Sequence, residues 1–127
     1  MQISKIAFLV RDYDEAIGWF SRCLGFELAE DIDMGRGKRW VVVQPPGARG
    51  VALVLAKAVG DQQGHVGRQA GGRVFLFAET DDFDRDHARM IREGVVFREA
   101  PRSEAYGKVA VFEDLYGNPW DLIQPTP

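Results

Sequence analysis

The chain has 127 residues, of which 46% are hydrophobic and 28% charged, a composition that is typical of an ordinary globular protein and argues against disorder. Its net charge is −3 and its arginines are spread along the chain, which argues against a nucleic-acid partner. No apolar run reaches the ~18 residues of a membrane span and no secretory signal opens the chain, so we expect a cytoplasmic protein with no membrane partner.

The first predicted elements are a strand and a helix. The segment "ISKIAFLV" is rich in β-branched and large apolar residues, which favours a strand. The segment "RDYDEAIGWFSRCL" follows, and its apolar residues recur at the three-and-four spacing of a helix packed on one face. Asp12 or Asp14 is placed to cap the start of this helix, and Gly25 supplies a left-handed stop. Trp19 and Phe20 are assigned to the core or to a subunit contact.

Three strands and a connector complete the first half. The strands are expected at about 26–31, 38–44 and 50–56, with "PPGARG" as the turn between the last two. The next segment, "AKAVGDQQGHVGRQAGG", has five glycines and little periodicity, which predicts a mobile connector. The same order then recurs, and the second set of elements is a strand at 73–80, a helix at 82–93, and strands at about 95–100, 107–113 and 119–124.

This recurrence reflects an internal repeat with a shift of 70 residues. The segment "VRDYDEA" falls on "TDDFDRD", and "GKRWVVVQPPG" falls on "GKVAVFEDLYG". Each half therefore has the order βαβββ. We expect an α+β fold in which the paired modules form a curved mixed sheet with its helices outside and its concave side available to a ligand. The predicted domain spans residues 1–127 and is built from a repeat at 3–56, a connector at 57–72 and a repeat at 73–125.

The single cysteine, Cys23, cannot close an internal disulfide and suits a reducing compartment. We expect it to be a small buried apolar residue, with a reactive thiol as the alternative.

These features resemble the vicinal oxygen chelate superfamily, which includes glyoxalase I, extradiol dioxygenases and bleomycin resistance proteins. The resemblance covers nearly the whole chain and rests on the paired βαβββ order, on "FLVRDYDEAIGWFSRCLGFEL" and on "VAVFEDLYGNPWDLIQP". It is specific for the fold and weak for the reaction, because one architecture carries many chemistries. It also implies a homodimer, and the connector would allow the modules to be exchanged between subunits.

The resemblance also implies where a metal would bind. The metal-using members take ligands from the first, fourth, fifth and eighth strands, and the corresponding positions here are Lys5, a residue near Ala52, Phe75 and Asp121. Only Asp121 can bind a divalent ion in its ordinary state, because alanine and phenylalanine offer no donor atom and an ammonium group repels a cation. We therefore expect no metal and no cofactor.

The two histidines are not expected to complete such a site. His87 falls on the part of the second helix that is predicted to be exposed, where a solvated histidine is the ordinary interpretation. His65 lies in the connector and would have to swing toward the concave face, whereas a metal ligand is normally held by its scaffold.

Strand alternation places Lys5 on the same face as Ala7 and Leu9, and Asp121 on the same face as Ile123. If the family's geometry holds, Lys5 and Asp121 converge with Phe75 where the metal would have been, and we hypothesise that they form an ion pair. The alternative is that Lys5 extends to the rim and that backbone amides near "GNPW" hold Asp121.

The resulting hypothesis is a metal-free protein that binds a small organic molecule, in the style of bleomycin resistance proteins. The expected ligand-binding residues are Lys5, Trp40, Phe75, Phe77, Tyr106 and Asp121. The alternative is a lyase or dioxygenase of the glyoxalase I or extradiol type, either metal-dependent or using Lys5 and Asp121, with Tyr106 as a further catalytic candidate. The sequence leaves the facing of Arg39 and Glu79 open.

Overall fold

The computed structural model describes all 127 residues, which form two compact units, Met1–Val66 and Gly67–Pro127. The first unit contains β1 (Lys5–Val10), α1 (Tyr13–Leu24), β2 (Glu27–Gly35), β3 (Lys38–Gln44) and β4 (Ala52–Lys57). The second contains β5 (Leu76–Glu79), α2 (Phe83–Arg92), β6 (Arg102–Glu104), β7 (Gly107–Glu113) and β8 (Pro119–Pro125). The paired βαβββ order and the α+β class predicted from the repeat are confirmed. The single domain over residues 1–127 stays a prediction.

Both units build their sheets in the same way. The strand orders are β1-β4-β3-β2 and β5-β8-β7-β6, and in each sheet the first and last strands of the unit pair in parallel at one end of the sheet. The remaining neighbours are antiparallel. The repeat seen in the sequence is therefore a repeat of topology as well.

Neither helix has the length and apolar character that a bilayer span requires.

One face of each sheet packs against the helix of its own unit. In the first unit Phe8 of β1 and Phe20 of α1 are buried, with ring centroids 5.3 Å apart. In the second unit Phe83 of α2 and Phe112 of β7 are buried in the same way. Cys23 is also buried, as predicted, and so is the first-helix tryptophan that was assigned to the core. The large apolar side chains that face the helix form a separate core within each unit, and their burial stabilises that unit.

The helix boundaries follow the predicted capping residues. The carboxylate of Asp12 accepts a hydrogen bond from the amide of Glu15 at 3.0 Å, which decides between the two capping candidates. Asp82 caps α2 in the same way by accepting from the amide of Arg85. Gly25 ends α1 with a φ of 68°, in the left-handed region that glycine enters without steric cost.

Strand β2 is longer than predicted because it continues into a tight hairpin. Gly35 pairs with Lys38, and the two residues between them, Arg36 and Gly37, both have positive φ. Two such residues form the primed turn whose twist matches that of the flanking strands. All nine residues of β2 are exposed, and its acidic residues lie on the edge strand of the sheet, which extends beyond the predicted end at about residue 31.

The strand predicted at about 95–100 is wrong. That segment makes only one isolated bridge, from Phe97 to Phe112, and the regular strand β6 begins later, at Arg102. The side chain of Glu99 takes the amide of Val111 that a neighbouring strand would have bonded, and Pro101 has no amide to offer. The ladder is therefore interrupted by a side chain and a proline.

One further expectation, the exposure of His87, needs correction. His87 is half-buried and not exposed, because its ring stacks on Phe83 at 5.5 Å and lies 4.5 Å from the ring of Phe97. The connector, which was predicted to be mobile, contains the short 3-10 helix Gly60–His65 and then a series of turns, and its mobility stays a prediction. His65 ends this short helix and is exposed.

A buried carboxylate fixes the turn between β7 and β8. Asp114 accepts from the amides of Tyr116 and Asn118, and its other oxygen accepts from the Asn118 side chain and from Trp120 Nε1 at 2.8 Å. Asp114, Asn118 and Trp120 are all buried. The Asn118 and Trp120 donors of this network are buried, so they would lose their hydrogen-bond acceptor if the carboxylate were removed.

We expect Asp114→Ala to destabilise the fold by about 2 to 4 kcal/mol, because buried donors would lose their acceptor. The measurement is the free energy of unfolding in urea. Asp33→Ala is the matched control, since Asp33 also accepts from a turn amide, Gly35 N at 2.8 Å, but is exposed, and its loss should cost less than about 1 kcal/mol. Equal effects of the two substitutions would contradict this account.

Candidate functional site

The face of each sheet that is turned away from its helix carries the predicted site residues, and we call it the far face. In the first unit the side chain of Arg39 reaches the helix. Successive residues of a strand point to opposite faces, so the next residue, Trp40, points to the far face. The residues of this face are Lys5, Ala7, Leu9, Ala52, Val54, Trp40, Val42, Glu30 and Ile32. In the second unit Lys108 contacts α2. The opposite set there is Phe77, Glu79, Asp121, Ile123, Val109, Val111 and Arg102.

On the first unit, Lys5 and Trp40 lie on different strands of the far face. Lys5 is exposed and pairs in register with Ala52, the residue that occupies the predicted fourth-strand position. Trp40 is 37% exposed and its Nε1 donates to Glu30 at 2.8 Å. The indole is therefore held in place by a hydrogen bond while part of its ring remains accessible.

Arg39 lies on the helix side, which settles a facing that the sequence left open. Its guanidinium donates to Asp31 at 2.7 Å and to Asp14 at 3.0 Å, and it lies over the ring of Tyr13. The hydrogen bond from Arg39 lowers the pKa of Asp31 below its ordinary value. These contacts fasten α1 to β2 and β3, so Arg39 has a structural role.

On the second unit, Phe77 and Asp121 are neighbours. They are paired in register across the parallel strands β5 and β8, and Val111 of β7 pairs with Asp121 on the other side. Phe77 is 68% exposed, an unusual state for so large an apolar ring. Phe75 precedes β5, is half-buried, and its amide donates to Pro119 O at 2.7 Å. The structure thus brings Phe77 and Asp121 together on one surface.

Asp121 has an unusual environment for a carboxylate. Its Oδ1 is buried and has no hydrogen-bond partner. Burial raises the pKa of Asp121 above its ordinary value of 3.8, with Arg102 opposing this shift and Glu99 adding to it. The backbone amides of the "GNPW" turn do not hold Asp121, because the amide of Asn118 donates to Asp114. That alternative for Asp121 is therefore wrong.

The sequence interpretation missed the polar group around Tyr106. Arg102 donates to Glu99 at 3.2 Å, to Glu104 at 2.7 Å and to the hydroxyl of Tyr106 at 3.2 Å. Tyr106 is 54% exposed at the tip of the β6–β7 hairpin. The signal for this group was the spacing in "RSEAYG", which puts Arg102 at the start of a short strand and Tyr106 in the turn that follows it.

The positions that correspond to the family's metal ligands do not fit a metal ion. The side chains at Ala52 and Phe75 have no donor atom, and Lys5 is an ammonium group. No group of three or more His, Cys, Asp or Glu side chains in the chain is arranged to hold a metal. A stable divalent site needs at least three protein donors of suitable type.

The predicted site residues are distributed over both units. Within the units, Lys5 lies beside Ala52 and Asp121 beside Phe77. Glu79 is exposed at the end of β5 and pairs in register with Ile123. The ion pair between Lys5 and Asp121 would join the two units and stays a prediction.

We expect Asp121→Asn to raise the melting temperature at pH 7. Because the pKa of Asp121 is raised in the folded state, folding favours the protonated carboxyl. The stability that the protein gains from this preference is fully present below pH 3.8 and is lost as the pH rises through the folded-state pKa. The advantage of the asparagine variant should therefore be small near pH 3 and reach its full size at neutral pH. The measurement is thermal unfolding of both proteins across that range. A lower melting temperature of the variant at pH 7 would contradict this and favour the ion pair with Lys5.

Comparison with known proteins agrees with this architecture. The family model described as Glyoxalase/Bleomycin resistance protein/Dioxygenase superfamily matches residues 2–122. An uncharacterized protein of Shewanella frigidimarina (strain NCIMB 400) is 55% identical over 124 residues, which are 96% of this chain and 92% of that protein.

Two solved structures are similar over nearly their whole length. The crystal structure of UcmS2 is 27% identical, has a TM-score of 0.82, and the match covers 97% of both chains. The structure of TnmS3, an antibiotic binding protein from Streptomyces sp. CB03234, is 30% identical with a TM-score of 0.78, and the match covers 99% of this chain and 97% of TnmS3. With its paired modules and a family match over almost all of its length, this chain belongs to the glyoxalase/bleomycin resistance protein/dioxygenase superfamily.

Proposed function

We propose that this protein binds a small organic molecule on its far faces without a metal ion. The aromatic contacts would come from Trp40, Phe75, Phe77 and Tyr106, and the polar anchors would be Lys5 and Asp121. The observation that carries this proposal is the pairing of Phe77, which is 68% exposed, with a carboxylate oxygen that has no partner. An exposed ring beside an unsatisfied acceptor is the combination of apolar surface and oriented polar group on which ligand sites are built.

The comparisons support a binding function. TnmS3 is an antibiotic binding protein and shares the fold of this chain over nearly all of its length. Within this superfamily the scaffold is common to binding proteins and to enzymes, so the side chains of the site decide between them. Aromatic side chains and one unpartnered carboxylate are sufficient for binding, since they provide contact area and orientation.

A second candidate function is a metal-free enzyme that uses Asp121 with Lys5. The specific observation in its favour is that Asp121 combines a raised pKa with an unpartnered oxygen, as a proton acceptor requires. A metal-dependent lyase or dioxygenase is not supported by the donor types at the corresponding positions. Elemental analysis of protein purified without added metal separates the binding proposal from a metal-dependent reaction, because more than about half an equivalent of a transition metal per chain would overturn the binding proposal.

We also propose a cytoplasmic homodimer that binds neither membranes nor nucleic acids. The net charge of −3 and the single buried cysteine support the location and the absence of a nucleic-acid partner. Light scattering should give a mass about twice the 14.2 kDa of one chain, and the mass of a single chain would contradict the dimer.

We expect Phe77→Ala to weaken the binding of planar aromatic compounds about tenfold, because a stacked aromatic contact contributes ~0.5 to 1.5 kcal/mol beyond its buried area. Thermal-shift titration with a panel of polycyclic aromatic compounds measures this, since a ligand that binds only the folded protein raises its melting temperature. Ile91→Ala is the control, because Ile91 is a similarly exposed apolar residue that lies on α2. Equal loss in both variants, or no stabilising compound for the unsubstituted protein, would contradict the proposed site.

A further inference from the structure

The geometry points to a specific ligand class for the second unit: an aromatic molecule with a protonated nitrogen, whose N–H group donates to Asp121 Oδ1 while its ring system lies against Phe77. This inference rests on the proposed binding function and deepens it by naming the chemistry of the ligand. It concerns only residues of the second unit, all of which lie on or beside its far face.

The first step is the hydrogen-bonding state of Asp121. Its Oδ1 is buried and has no partner in the protein. An ionised carboxylate can only accept hydrogen bonds, so the group that satisfies it must be a donor. A buried oxygen that lacks a donor costs free energy, and a ligand that supplies one recovers this cost on binding. A donor is therefore required of the ligand, and an acceptor is not.

The second step concerns the neighbours of Asp121 in the sheet. The residues directly opposite it are Phe77 on β5 and Val111 on β7, and neither side chain carries a donor. Phe77 offers the face of an exposed ring instead. A cation that lies close to both groups gains a charge-assisted hydrogen bond from the carboxylate and a favourable interaction with the ring.

The third step is the charge around the site. The charge of Arg102 acts on Asp121, but Arg102 already binds Glu99 and Glu104, and the two carboxylates leave this group of three with a net charge of −1. Glu79 adds a further exposed carboxylate on β5. This surface therefore carries net negative charge, and it favours a cationic ligand over an anionic one of the same shape.

The fourth step gives the ligand its length. The hydroxyl of Tyr106 accepts from Arg102, so its own proton is available for an acceptor on the ligand. Arg102 pairs with Val109, which lies two residues along β7 from Val111, the partner of Asp121. Two residues of strand span about 7 Å, which corresponds to a ligand of two or three fused rings.

The test compares two three-ring probes by fluorescence titration at pH 7.5, the cation 9-aminoacridine and the anion acridine-9-carboxylate. The unsubstituted protein should bind the cation at least about tenfold more tightly, which corresponds to ~1.4 kcal/mol. Asp121→Asn should remove most of this preference. Glu93→Gln is the matched control, since it removes the same charge from an exposed residue at the end of α2 and should leave the preference unchanged.

The outcomes separate this inference from the proposed function. If both probes bind with similar affinity, or if the asparagine variant keeps the preference for the cation, the inference is overturned and binding on the far face stands. If neither probe binds, both proposals fall. A loss of preference in the Glu93 control that matches the loss in the Asp121 variant would show a general charge effect and would also overturn the inference.

Discussion

In both units, the pleat of the strands determines which side chains contact the helix and which lie on the opposite face. Successive residues of a strand point to opposite faces, so Phe8 packs toward α1 while its neighbours in β1 point to the far face. The same alternation places Trp120 in the core and Asp121 on the far face. A shift of one residue in the pairing of β8 would exchange these two roles. The register of the parallel strands at one end of each sheet therefore fixes the composition of each far face, and every feature of the candidate site depends on it.

The far faces combine features that a purely structural surface would avoid. Phe77 exposes most of its ring, and the adjacent Asp121 keeps one oxygen without a donor. A protein under selection for stability alone would remove both features, because each costs free energy in the isolated fold. Their presence side by side is most simply explained by a ligand that covers the ring and satisfies the carboxylate. The other positions that correspond to metal ligands in this superfamily carry residues that cannot bind a cation, so only Asp121 retains an acceptor there.

The sequence was sufficient for those parts of the fold that local rules control. The repeat follows from matching residues 70 positions apart. The helix stop at Gly25 and the restriction of the cap to Asp12 or Asp14 depend on backbone requirements that few residue types satisfy, and the structure decided between the two carboxylates. The sequence was insufficient where side chains from distant segments replace local bonds. Glu99 occupies an amide of β7, and the ring of His87 packs against Phe97 beyond the end of its helix, and neither contact has a local signature.

For the candidate site, the sequence identified the exposed aromatic residues and Asp121, and it missed Arg102. Arg102 was missed because its role depends on its hydrogen bonds to Glu99 and Tyr106, and these residues meet only when the β6–β7 hairpin has formed. That strand was placed too early in the sequence interpretation, so the three side chains were not expected to meet. Errors in strand boundaries therefore translate directly into errors about which polar residues surround a ligand.

The central claim is that an aromatic ligand binds at Phe77 and Asp121, and chemical-shift mapping tests it most directly. Titration of the nitrogen-labelled protein with 9-aminoacridine should perturb the backbone amides of Phe77, Val111 and Asp121 first and most strongly, because these residues are adjacent across β5, β8 and β7. Perturbations confined to α2 or to the 3-10 helix Gly60–His65, with none on these strands, would contradict the account.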